Sequence, residues 1–101
     1  MTLEIAADPI PIRVNAAGVA LVADTRVPID TIIYHFKDGE TPDDIARQFD
    51  ALDLADVHAV IGYYLRHRRE VDEYLRERER IAAEVRAEAE RRFPRPSSAS
   101  G

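Results

Sequence analysis

The sequence predicts a mainly α fold: a short N-terminal β-hairpin, a three-helix, helix-turn-helix-like core, a long C-terminal helix and a disordered tail. Three observations carry that reading. Two β-prone runs flank a turn near the N-terminus, three helix starts follow between residues 28 and 53, and residues 70–93 contain neither proline nor glycine.

Pro9 and Pro11 exclude an opening helix, because each fixes its own φ and biases the preceding residue toward extended angles. Pro11-Ile12-Arg13-Val14 and Val19-Ala20-Leu21-Val22 then flank the turn-forming Asn15-Ala16-Ala17-Gly18, the pattern of a β-hairpin. A lone hairpin is marginal in water, so this one must pack on the rest of the chain or pair with a second copy. Pro28 suits a first helical position. Ile29, Ile32, Ile33 and Phe36 follow at helical spacing, and Gly39 stops the helix.

Thr41-Pro42-Asp43-Asp44 combines a hydroxyl cap, a proline at the first turn and two acids facing the positive end of the helix dipole. Ile45, Ala46 and Phe49 would face inward. Asp53 is set to cap a third helix, with Asp56 in its first turn and an apolar stripe of Leu54, Val57, Val60, Ile61, Tyr64 and Leu65. Residues 70–93 read as one long helix, either continuous with the third or bent near His67-Arg68-Arg69. Its thin stripe of Val71, Tyr74, Leu75, Ile81, Ala82, Val85, Ala89 and Phe93 is interrupted at Arg78. Residues 94–101 form a disordered tail by composition. The expected divisions are 1–69 (hairpin and core), 70–93 (charged helix) and 94–101 (tail).

At 101 residues and 46% apolar, the chain has the size and composition of one globular domain. Its net charge is -5, and 13 of its 14 bases are arginine. That balance opposes nucleic-acid binding by bulk positive charge. The distribution is uneven: residues 1–65 carry a net -7 and residues 66–101 a net +2. Two surfaces with different tasks are expected. The absence of cysteine excludes disulfides, thiol nucleophiles and sulfur-ligated zinc. The N-terminus lacks the basic segment and apolar run of a signal peptide, and no apolar stretch approaches ~18 residues. The expectation is a cytoplasmic protein without membrane contact.

Chemistry-bearing patterns are sparse. His35, His58 and His67 lack the three- or four-residue spacing of paired helix ligands, so no metal is expected. There is no phosphate loop and no nucleophile motif, and the acid pairs are explained by helix starts. Neither an enzyme nor a cofactor is expected. The arginines of the long helix have acids three or four residues away: Glu73 with Arg76, Glu77 with Arg80, Glu88 with Arg91 and Arg92. Arg66-His67-Arg68-Arg69 stands apart, with few nearby acids, and suits phosphate or a partner's carboxylates. The N-terminal half of the third helix offers Asp53, Ala55, Asp56, His58 and Ala59, where carboxylates would repel phosphate. Phosphate contacts are left to Arg26, Arg47, Arg66, Arg68 and Arg69.

Several of these segments together resemble the domain of unknown function 433 family. They are Pro11-Ile12-Arg13-Val14, Gly18-Val19, Thr25-Arg26-Val27-Pro28-Ile29, Gly39-Glu40-Thr41-Pro42-Asp43-Asp44-Ile45-Ala46, Leu52 to Ile61, and Tyr63 to Leu75. The resemblance covers roughly residues 9–75. Asp24 stands where the family usually has glycine, and is expected to take left-handed angles there. Proteins like this look like VapB-type antitoxins encoded beside a PIN-like ribonuclease toxin. The resemblance implies a homeodomain-like helix-turn-helix core behind the hairpin, neutralisation of the toxin by direct binding, and repression of its own operon. It also implies a toxin whose active centre is a carboxylate cluster holding a divalent metal.

The expectation is therefore an antitoxin of a type II pair. Arg66, Arg68, Arg69, Val71, Tyr74, Leu75, Ile81 and Val85 would contact the PIN-like toxin, as an amphipathic helix laid in a groove. The alternative is a dimeric helix-turn-helix repressor holding operator DNA through Arg26, Arg47, Arg66 and Arg68. A third reading, a helical oligomerisation module, is opposed by Arg78 and the scarcity of leucine. A homodimer is expected.

Overall fold

A computed structural model describes Leu3 and residues 8–93. Two strands and four helices follow in order: β1 (Ile12–Val14), β2 (Ala20–Val22), α1 (Ile29–Lys37), α2 (Pro42–Gln48), α3 (Leu54–Arg66) and α4 (Arg68–Arg92). The protein is mainly helical with a short N-terminal antiparallel hairpin and a long C-terminal helix. The expected tail, residues 94–101, lies outside the described residues. The chain divides into two compact units, meeting between His67 and Arg68.

In the first unit, Ile12 pairs with Val22, Arg13 with Leu21 and Val14 with Ala20. The turn between the strands is held by Asn15, whose Oδ1 accepts from the backbone N–H of Ala17 and Val19. Gly18 supplies the positive φ of 83° that this turn needs. The question of what the hairpin packs on is answered within the chain. All three residues of β2 are buried, β2 packs on α1, and Leu21 bridges to Pro28.

The left-handed residue of the next turn is Ala23 (φ 46°), not Asp24. The ladder explains the difference. The N–H of Ala23 still donates to Pro11 O, so the chain must reverse at Ala23 before Thr25 N and Thr25 Oγ1 both bond Val22 O.

Pro28 is the N-cap of α1 rather than its first helical residue, with extended angles (φ -69°, ψ 151°). The helix ends as Gly39 predicts. With Gly39 at φ 90°, Glu40 N donates to His35 O and Gly39 N to Phe36 O, the paired bonds of a Schellman motif. At α2, Thr41 Oγ1 accepts from Asp44 N at 3.1 Å, and Asp44 Oδ2 accepts from Thr41 N at 3.3 Å. This is a complete capping box with Pro42 just inside it. Asp53 is the N-cap of α3, but its side chain makes no capping bond.

α1, α2 and α3 pack on one another around Val22, Ile32, Ile33, Ile45, Val57 and Val60, all essentially inaccessible to water. Phe36 meets Tyr64 edge to face at 6.3 Å, and Lys37 sits over the Tyr64 ring. Leu54 and Leu65, expected in the α3 stripe, are 43% and 45% exposed. They lie at the margin of the arc centred on Val57 and Tyr64, so the buried face is narrower than the run of apolar residues.

α3 and α4 are separate helices. His67 caps α3 with φ -130° and ψ 40°, outside helical angles, and its ring stacks on Tyr63 at 4.3 Å. Neither proline nor glycine makes this break; it falls within the basic run where a bend was one of the two readings.

Candidate partner-binding helix

α4 forms because Glu, Arg and Ala dominate its 25 residues and nothing in it breaks a helix. Its buried residues are Val71 and Leu75, and Tyr74 is half-buried with the Arg78 guanidinium over its ring. From residue 79 to 93 every residue is exposed. Ile81, Val85, Ala89 and Phe93 recur every fourth residue along that exposed stretch, so they share one face. Exposure is 47% for Ile81, 62% for Val85 and 78% for Phe93, which makes this the largest apolar surface the helix offers. Shallow hollows along it are lined by Val85, Ala89 and Phe93, and by Arg86, Ala89, Glu90 and Phe93.

Ion pairs brace the polar side. Arg80 bonds both oxygens of Glu77 and reaches Glu84, while Glu88 accepts from Arg91 and Arg92. The hydrogen bond from Arg80 holds the Glu77 carboxyl below its usual range, and Glu77 in turn raises the Arg80 guanidinium. The expected Glu73–Arg76 pair is not made. Among the described residues Arg76 and Arg86 carry no ion pair, nor do Arg66 and Arg69; all four are exposed.

The arginines expected to contact phosphate lie on separate elements. Arg26 is exposed in the turn after β2, Arg66 is in the last turn of α3, and Arg68 opens α4. Arg47 is on α2 and its guanidinium is bonded to Asp44, so it is already engaged. At the start of α3, Asp53, Ala55 and His58 are exposed, which puts negative charge on the face a reading helix would present.

Three features went unread in the sequence. Glu40 bridges two elements, bonding His35 Nδ1 on α1 and Gln48 Nε2 on α2, and the Phe49 ring meets His35 edge-on at 5.4 Å. Those bonds, His35 first and Gln48 second, hold the Glu40 carboxyl below its usual range. Arg13 clamps the turn that follows β2. Arg86 and Phe93 lie outside the expected partner contacts, although the spacing carries a signal: Arg86 has alanine, not acid, at three and four residues before it. Among the described residues, no group of His, Asp or Glu is arranged to hold a metal ion, and no helix is long and apolar enough to cross a membrane.

Residues 16–64 match the model of a family described as a protein of unknown function (DUF433). Over these residues the chain belongs to that family. No curated protein and no solved structure matches the chain. The DUF433 region runs from the hairpin turn to Tyr64, taking in β2, α1, α2 and nearly all of α3. Arg66 and the whole of α4 lie beyond the matched residues.

Proposed function

We propose that this chain is an antitoxin that neutralises a PIN-like ribonuclease by direct protein binding, with α4 as the binding element. The observation that carries the reading is the exposed stripe of Ile81, Val85 and Phe93, accompanied on the same helix by the exposed guanidinium groups of Arg69 and Arg86, which carry no ion pair among the described residues. An amphipathic helix with an unpartnered apolar face is the form that lies in a groove of another protein. Free guanidinium groups suit the carboxylates of a metal-dependent nuclease, because the planar fork takes both oxygens of a carboxylate. Arg66, Arg68 and Arg69, exposed at the end of α3 and the start of α4, would add positive charge to the contact.

The test mixes the purified chain with the purified PIN-like protein encoded beside it and follows cleavage of a labelled RNA. Inhibition should reach completion near a one-to-one ratio. The triple substitution Arg66→Glu, Arg68→Glu, Arg69→Glu should abolish binding while the helical circular dichroism is retained; unchanged binding would remove these arginines from the assignment.

The short link between α2 and α3 favours a second reading, a dimeric helix-turn-helix repressor. Asp53 and Asp56 at the head of α3 weigh against it. Operator affinity with a steep salt dependence, lost in an Arg26/Arg66/Arg68 triple alanine variant, would support it.

A further inference from the structure

We infer that Arg86 is the specificity anchor of α4, and that the partner surface is an apolar groove whose rim carries a carboxylate placed to receive it. The inference rests on the antitoxin reading and adds the chemistry of the partner. Arg80, Arg91 and Arg92 are each held by glutamates one turn away. Arg86 has Ala82 and Ala83 one turn before it and Ala89 three residues after, so the helix itself provides almost no acid. Glu90 is four residues ahead, but no ion pair forms between the two.

Position separates Arg86 from the other unpaired arginine of this stretch. At about 100° per residue, Arg86 lies roughly 20° from Phe93 and roughly 100° from Val85 around the helix, whereas Arg76 lies roughly 100° and 180° from the same two residues. Arg86 lines the same hollow as Ala89, Glu90 and Phe93, so its side chain borders the apolar stripe. Glu77, Glu84 and Glu88 border the opposite margin, and each is bonded to an arginine of its own helix. A surface laid on this stripe thus meets, on one side, a margin whose carboxylates are each bonded to an arginine and, on the other, the Arg86 guanidinium, which shares its hollow with Glu90 but forms no ion pair with it. An apolar groove with a carboxylate on one rim complements it, and a carboxylate fixes the groove's orientation along the helix.

A second copy of α4 fits poorly. A self-paired seam through Val71, Val85, Ala82 and Ala89 would also enclose Arg78 and Arg92.

The experiment measures binding of the full chain to the purified neighbour-encoded PIN-like protein by calorimetry, using Arg86→Glu, Arg86→Lys, Phe93→Ala and Arg76→Glu. Arg86→Glu should weaken binding by about tenfold or more, Arg86→Lys should recover part of the loss, and Arg76→Glu should stay within about twofold. Equal losses for Arg76→Glu and Arg86→Glu would reduce the effect to overall charge and overturn the anchor, as would unchanged binding by Arg86→Glu. A dimer of the unaltered chain that Arg86→Glu and Phe93→Ala dissolve would put a second copy on the stripe and overturn the partner assignment. Failure of the unaltered chain to bind the PIN-like protein at all would overturn the antitoxin reading, and this inference with it.

Discussion

Arg13 and Ala23 are tied across the hairpin: the Arg13 Nε donates to the carbonyl of Ala23 at 2.8 Å, and its Nη2 donates to Thr25 O at 2.9 Å. Ala23 is the one non-glycine residue at positive φ among the described residues. A side chain on β1 therefore holds the unfavourable turn that carries the chain from β2 toward α1. Both acceptors are backbone oxygens of the turn, so the clamp reads the turn's shape and not its side chains.

This geometry predicts opposite outcomes for two substitutions of the same size. A left-handed L-residue costs about 1 kcal/mol, which glycine avoids while giving up some of the gain as chain entropy. Ala23→Gly should raise stability by about 0.5 kcal/mol. Gly39→Ala should lower it by about 1 kcal/mol, because Gly39 sits at φ 90° while an added Cβ would meet nothing within 4 Å. Urea unfolding followed by circular dichroism at 222 nm checks both, and the same sign for the two would contradict the dihedral argument.

Acid should weaken the fold at the α1–α2 junction. His35 and then Gln48 hold Glu40 below its usual 4.5, and hydrogen bonds from Thr41, side chain before backbone, hold Asp44 below its usual 3.8. A carboxyl lowered in the folded state stabilises fully above its unfolded value and loses that contribution as the pH falls through the folded value. The double variant Glu40→Gln, Asp44→Asn should therefore be less stable than the parent at pH 7, with the gap closing below about pH 4. Urea midpoints at pH 7, 5 and 3 measure this; a gap that stays constant across the three would locate the effect in packing.

The parts of the fold legible in the sequence were those set by local chemistry. Thr41-Pro42-Asp43-Asp44 and Gly39 specify a helix start and a helix stop through backbone and capping bonds made within five residues, and the structure has both. The Arg13 clamp and the Glu40 bridge join residues between 5 and 12 positions apart through side chains of common type, so no periodicity announces them. Pattern also overstated the core. Leu54 and Leu65 fit the α3 stripe, but burial depends on how wide an arc the neighbouring helices cover. In the candidate binding helix, the stripe and the basic run were visible at once. The role of Arg86 was not, because it depends on which arginines the helix consumes in its own ion pairs.

The last prediction concerns α4 and follows from its exposure. An amide in a buried helix exchanges with solvent only through cooperative opening, whereas one in an exposed helix exchanges by local fraying. Residues 79–93 are all exposed, and the ion pairs bracing them are surface pairs that contribute little and are screened by salt. In the free chain, amides from 81 to 92 should exchange at least about a hundredfold faster than those of Ile32, Val57 and Val60, and faster still at 1 M salt. Adding the PIN-like protein should slow exchange from Ile81 to Arg92 and leave α1 unchanged. Pulsed deuterium labelling with peptide-level mass spectrometry resolves the two regions. Protection confined to α2 and α3 would move the contact onto the DUF433 core and leave the stripe of Ile81, Val85 and Phe93 without a partner.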